Sequence, residues 1–109
     1  MIISKKDEAT FKDFFLLKEK RQFKKALSLL SSLEKKYDNN CTIYGLYGTV
    51  FYELKNYKES SKFFKKVIEI NPASETASLG LFHSLIYLGY SNLALKELVR
   101  YSEMEKPKL

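Results

Sequence analysis

Shifted against itself by 34 residues, the chain sets Phe23 on Tyr57, Ala26 on Ser60, Leu27 on Ser61, Leu30 on Phe64 and Leu33 on Val67. A second shift sets Ser60 on Ala94, Phe64 on Leu98 and Val67 on Tyr101, while Leu17, Phe51 and Leu85 share one place in the same register. A fixed period of this length restricts the chain to stacked copies of one supersecondary unit, because a single unit cannot bury its apolar face alone. The units run over about 7–40, 41–74 and 75–109, within one domain spanning 1–109.

Each unit reads as a helical hairpin. In the middle unit Tyr44, Tyr47, Phe51 and Leu54 recur at helical spacing; after Lys55-Asn56 the pattern resumes with Tyr57, Ser60/Ser61, Phe64 and Val67/Ile68. Only 2 prolines and 4 glycines interrupt a chain otherwise rich in leucine, lysine and glutamate, which are good helix formers. The expectation is an all-α fold of about six helices in three stacked antiparallel pairs. Breaks fall at Asp38-Asn39-Asn40 and at Asn71-Pro72, with Asn71 placed to cap the next helix and Pro72 to lie in its first turn. Gly89 marks the turn inside the third unit.

Composition narrows the chemistry. Cys41 is the only cysteine, so neither an intramolecular disulfide framework nor a zinc-binding thiolate cluster is available. His83 is the only histidine, and no Cys-x2-Cys, glycine-rich phosphate loop or paired carboxylates accompany it. No catalytic residue, metal or cofactor is expected. The start, Met1 to Lys6, lacks the apolar run of a secretory signal, and no stretch approaches the roughly 20 apolar residues of a membrane span, which points to a cytoplasmic protein with no membrane contact. The formal charge of +6 raises nucleic acid as a partner, yet only Arg21 and Arg100 among 19 basic residues carry the planar fork suited to bidentate contacts. The lysines alternate with Glu34, Glu59 and Glu69 in the manner of a solvated helix face. An RNA-binding helical repeat is the least favoured reading.

Tyr44-x2-Tyr47-Gly48-x2-Phe51, then Ser60-x3-Phe64, then Pro72, is similar to the tetratricopeptide repeat pattern of W-x2-L-G-x2-Y, A-x3-F and P, at the same period. In this pattern Gly48 and Ser60 let the two helices of a unit approach. The outer units depart from it, with Phe14 and Phe82 at the place of Gly48. The resemblance implies a right-handed superhelix whose first helices line a concave groove. Carried over place by place, it assigns to partner binding Phe11, Phe15, Leu46, Thr49, Tyr52, Glu53, Leu79, His83, Ile86 and Tyr87, with Gly80 also on the groove side. The places of the family's clamp for chaperone carboxylates hold Phe11, Phe15, Leu46, Thr76 and Gly80, which does not suit a terminal carboxylate.

An apolar or amphipathic segment of a protein partner suits such a wall better, with Tyr52 and Tyr87 side by side as anchors framing one pocket. The implied function is a non-catalytic protein-interaction module. The alternative is a dedicated neutralising protein of one partner, either a toxin immunity protein or a secretion-type chaperone. The last helix is crowded with Leu93, Leu95, Leu98, Val99, Tyr101 and Met104, and only Glu105 to Leu109 follow, too few for a capping helix. Leu95 and Val99 are therefore candidates for self-association as a homodimer or for partner contact, while Leu98 is expected to face inward with Ala94.

Overall fold

Helices begin in this chain where a side chain can accept a free backbone N–H. Ser4 accepts from the Asp7 amide at the start of α1 (Lys5–Glu19), and Asn40 accepts from the Ile43 amide at the start of α3 (Cys41–Glu53). Asn56 does the same for α4 (Tyr57–Ile70) and Ser74 for α5 (Glu75–Tyr87). The remaining helices are α2 (Phe23–Lys36) and α6 (Ser91–Glu105). In this computed structural model residues 3–105 are described, with side chains as far as Met104. The first two residues of the supposed signal-free start and the last four residues of the supposed short tail lie outside the described residues.

One helix start differs from the sequence expectation. Asn71 closes α4 instead of capping α5, and Pro72 lies in the intervening turn, where the Ser74 amide donates to the Asn71 carbonyl at 3.1 Å. A residue before proline is driven into extended backbone, and Asn71 sits at φ −130°, ψ 86°. The helix can start only once the chain has turned, which leaves Ser74 as the cap.

Turns inside the hairpins repeat with the same fidelity as the helices. Arg21, Lys55 and Gly89, one per unit in register, all take positive φ, at 58°, 61° and 84°. Beyond each, the next amide reaches back to close the helix end, as Gln22 to Leu17, Asn56 to Phe51 and Tyr90 to Leu85 at 2.8 to 2.9 Å. This is the Schellman arrangement, which favours glycine at the left-handed place; only the third unit supplies it.

The core falls into two clusters along the stack. Phe14, Ala26, Leu30, Leu33, Ile43 and Val50 are buried where α1, α2 and α3 meet, and Phe64, Val67, Ala77, Leu81, Leu85 and Ala94 where α4, α5 and α6 meet. Phe64 is the wedge between units two and three. A Cβ on Gly48 would stand 2.8 Å from its ring, and one on Gly80 would stand 2.5 Å from it, so both glycines clear the space the ring occupies. Ser60 Oγ donates to the Gly48 carbonyl at 2.9 Å and accepts from Ser84 Oγ at 3.1 Å, tying α3, α4 and α5 through buried atoms. Gly80 is thus a packing residue between α4 and α5, which corrects its placement on the groove side.

Stacking continues without closing. The radius of gyration of 14.9 Å exceeds the roughly 13 Å of a compact chain this long. The fold is an all-α solenoid of helix pairs, and each outer pair carries its own buried polar clasp. In the first, Asp7 accepts from Tyr37 Oη at 2.6 Å and Lys36 Nζ at 2.9 Å, joining the start of α1 to the end of α2. The tyrosine hydroxyl and then the ammonium hold the Asp7 carboxyl down at about 2. In the third, Glu97 accepts from Ser78 Oγ at 2.6 Å and from Arg100 Nε and Nη2 at 2.8 and 2.7 Å, while Arg100 Nη1 reaches the Pro72 carbonyl. Burial would raise the Glu97 carboxyl, but the bonds from Arg100 and Ser78 outweigh it and lower it.

Candidate partner-binding wall

First helices α1, α3 and α5 present one row of side chains after another, and the row divides into residues already engaged and residues left open. Phe11 and Leu46 are half-buried against the core of the first two hairpins. Thr49 Oγ1 donates to the Gly45 carbonyl one turn earlier at 3.0 Å, which spends its hydroxyl on its own helix. Glu53 pairs with Lys18 Nζ at 2.8 Å and so links α3 to α1 across the wall. These residues shape the surface more than they offer it.

Open residues concentrate on α5. Leu79, His83, Ile86 and Tyr87 are all exposed, Tyr87 at 61%, and they recur at three- and four-residue steps that align them along one helix face. His83 meets the Phe82 ring edge-on at 5.4 Å. On α1, Phe15 is exposed with its ring edge-on to the buried Phe14 at 5.2 Å.

Tyr52 and Tyr87 lie with ring centroids 6.1 Å apart, edge to face. Tyr57, the first residue of α4, stacks on Tyr87 at 4.5 Å and meets Tyr52 at 5.5 Å, so three rings close on one another. Sequence reasoning missed Tyr57 because its place in the first unit belongs to Phe23, a core residue. The signal was present: Tyr57 follows Tyr52 across a tight turn whose geometry brings the two helix ends together. Tyr57 is half-exposed here and forms an aromatic platform with Tyr87.

At the far end, Leu95 and Val99 on α6 are exposed at 57% and 51% and, with Asn92 and Lys96, line a depression of about 480 Å³. Leu98 does not face inward as expected; it is 47% exposed, although its counterparts Leu30 and Phe64 are buried at 0% and 4%. Those two are covered by the next hairpin, and no described hairpin follows α6. Glu97 takes the inward place instead, because Arg100 and Ser78 satisfy its charge.

Reactive groups are scattered. The Cys41 thiol is pushed up by burial, away from the thiolate form a nucleophile requires. Among the described residues no group of three His, Cys, Asp or Glu side chains is placed to hold a metal ion, and no helix is long and apolar enough to cross a membrane.

Residues 42–74, from the second residue of α3 to the turn that follows α4, match the tetratricopeptide repeat family. A solved structure of a MamA mutant superposes with a TM-score of 0.79 over 95% of this chain and 76% of the other, at 14% sequence identity, which establishes likeness of fold. No curated protein matches the sequence.

Proposed function

Because the chain carries a tetratricopeptide repeat at its centre and the stacked-hairpin fold throughout, we propose that it is a non-catalytic protein-interaction module that takes an apolar or amphipathic segment of a protein partner along its first-helix wall. The observation that carries this reading is the aligned run Leu79, His83, Ile86 and Tyr87, exposed on one face of α5 and ending on the Tyr52–Tyr57–Tyr87 platform. Apolar and aromatic side chains gathered in one patch favour a partner over water, and a rigid tyrosine gives contact area at little entropic cost. The spacing of the run matches one face of a docked helix, whose anchors also recur at three and four residues. The outer face of α6, with Leu95 and Val99, is a separate surface available to a second copy of the chain or to the same partner.

Isothermal titration of the partner captured from native extract tests the wall. Tyr87→Ala and Ile86→Glu are expected to weaken binding by about 2 kcal/mol each, the size of an interface anchor, without lowering the melting temperature by more than a degree or two. Lys62→Glu, on the opposite side of the stack, is expected to leave affinity within about twofold. A partner indifferent to the α5 changes and lost with the lysine change would move recognition off this wall.

A further inference from the structure

The backs of the second and third hairpins differ in one way that the repeat register makes measurable. In the middle unit Phe63 of α4 stacks on Tyr47 and Phe51 of α3 at 4.6 and 5.7 Å, and the three rings fill the space behind α3. The same three places in the third unit hold Glu97, Leu81 and Leu85. Glu97 turns to Arg100 and Ser78 and the leucines are smaller than the rings they replace. What remains is a crevice of about 310 Å³ behind α5, between α4 and α6. Its volume lies at the bottom of the range for small-molecule sites, roughly 300–1,000 Å³, which suits one or two side chains and not a large cofactor.

The chemistry of the crevice is lopsided. Leu81 and Leu85 form an aliphatic floor, and exposed Leu93 extends it at a place where the first two units carry Lys25 and Glu59. Lys65 and Lys96 stand on the rim, both exposed and, among the described residues, neither paired with a carboxylate. The one acid in the lining, Glu97, has its oxygens committed to Arg100 and Ser78. An apolar floor under uncompensated positive charge calls for an apolar group carried between negative ones. We propose that this crevice takes a bulky aromatic side chain from an acidic segment of a partner protein, the ring lying over Leu81, Leu85 and Leu93 where the middle hairpin keeps Phe63, and flanking carboxylates meeting Lys65 and Lys96. This is a second surface, on the opposite side of α5 from the wall that ends at Tyr87, and it stands or falls separately from that wall.

Methyl NMR of the full chain, titrated with the blocked peptide Glu-Glu-Phe-Glu-Glu and with Glu-Glu-Gly-Glu-Glu, tests it. Saturable shifts at the Leu81, Leu85 and Leu93 methyls are expected with the first peptide and not with the second. The paired change Lys65→Glu/Lys96→Glu is expected to weaken binding about tenfold or more, and Leu93→Glu, which installs the middle hairpin's residue, by a similar factor. All three positions are exposed, so unchanged circular dichroism accompanies the loss, and Tyr87→Ala leaves this binding as it was. Shifts centred on Leu79 and Ile86, equal response to the glycine peptide, preference for single-stranded RNA over the peptide, or undiminished binding by the variants would each overturn the proposal.

Discussion

In the middle hairpin Tyr44, Phe63 and Lys66 occupy the three places that Ser78, Glu97 and Arg100 occupy in the third. Phe63 packs beside Tyr44 with centroids 6.2 Å apart, and Lys66 Nζ lies 5.1 and 5.3 Å from the centroids of the two rings. In the third hairpin the same geometry is held by a serine–glutamate hydrogen bond and a two-pronged arginine. One backbone register therefore accepts two kinds of closure. The aromatic version is non-directional and tolerant of pH, and the polar version is directional and depends on every member being present.

The most damaging way to test the comparison is to destroy the wedge both hairpins share. Gly48→Leu would drive a side chain into the Phe64 ring, where a Cβ alone already stands at 2.8 Å, and about 1–3 kcal/mol or more of stability should go. Denaturant unfolding should show a lower midpoint with one transition, since Phe64 belongs to both units. An unchanged midpoint would mean that Phe64 swings aside and the units are less coupled than their geometry implies.

A somewhat smaller effect isolates the third hairpin. Glu97→Ala leaves the Ser78 hydroxyl and the Arg100 guanidinium without their acceptor, at about 1–3 kcal/mol, reduced to the extent that Arg100 can turn to water. The comparison is sharpened by the triple change Ser78→Tyr/Glu97→Phe/Arg100→Lys, which transplants the middle hairpin's set. Thermal unfolding should place this variant above Glu97→Ala; a triple variant no better than the single one would show that the two closures are not interchangeable.

Acid gives the mildest separation. Asp7 and Glu97 both have folded-state pKa values below their ordinary ones, so each adds stability above the unfolded value and loses it as pH falls through the folded one. For Asp7 the window runs from about 3.8 down to about 2. Melting temperature should therefore decline over that range, and Asp7→Asn should flatten the decline while lowering the plateau above it. Amide exchange should show α1, α2 and α6 loosening before the α3–α4 aromatic stack; simultaneous loss would argue that the clasps are not the acid-sensitive parts.

Much of this was legible in the residues. The pairs Leu30 with Phe64 and Leu33 with Val67 repeat because helix burial demands apolar groups at a fixed period, and that demand is written locally. Leu98 obeys the same period and is nonetheless exposed, since burial there depends on a neighbour that α6 lacks among the described residues. Gly80 looked like a groove residue because its position counts as one; only the size of Phe64 across the joint shows why it must be glycine. The wall was legible as a row of positions but not as open and engaged halves, because Thr49 and Glu53 find partners that no single-helix pattern reveals. The burial of Glu97 follows from a pairing with Ser78, which lies on a different helix and which no single-helix pattern reveals.

The buried line from Ser84 through Ser60 to the Gly48 carbonyl has a mechanical side. Its counterparts at the joint between the first and second units are Val50, Ala26 and Phe14, all fully buried and none with a side-chain polar atom. Hydrogen bonds resist sliding because they weaken steeply off axis, whereas smooth apolar surfaces can shear by small amounts at little cost. Sliding between hairpins two and three is therefore resisted by directed bonds inside the joint, and sliding between hairpins one and two by the Lys18–Glu53 pair out on the wall.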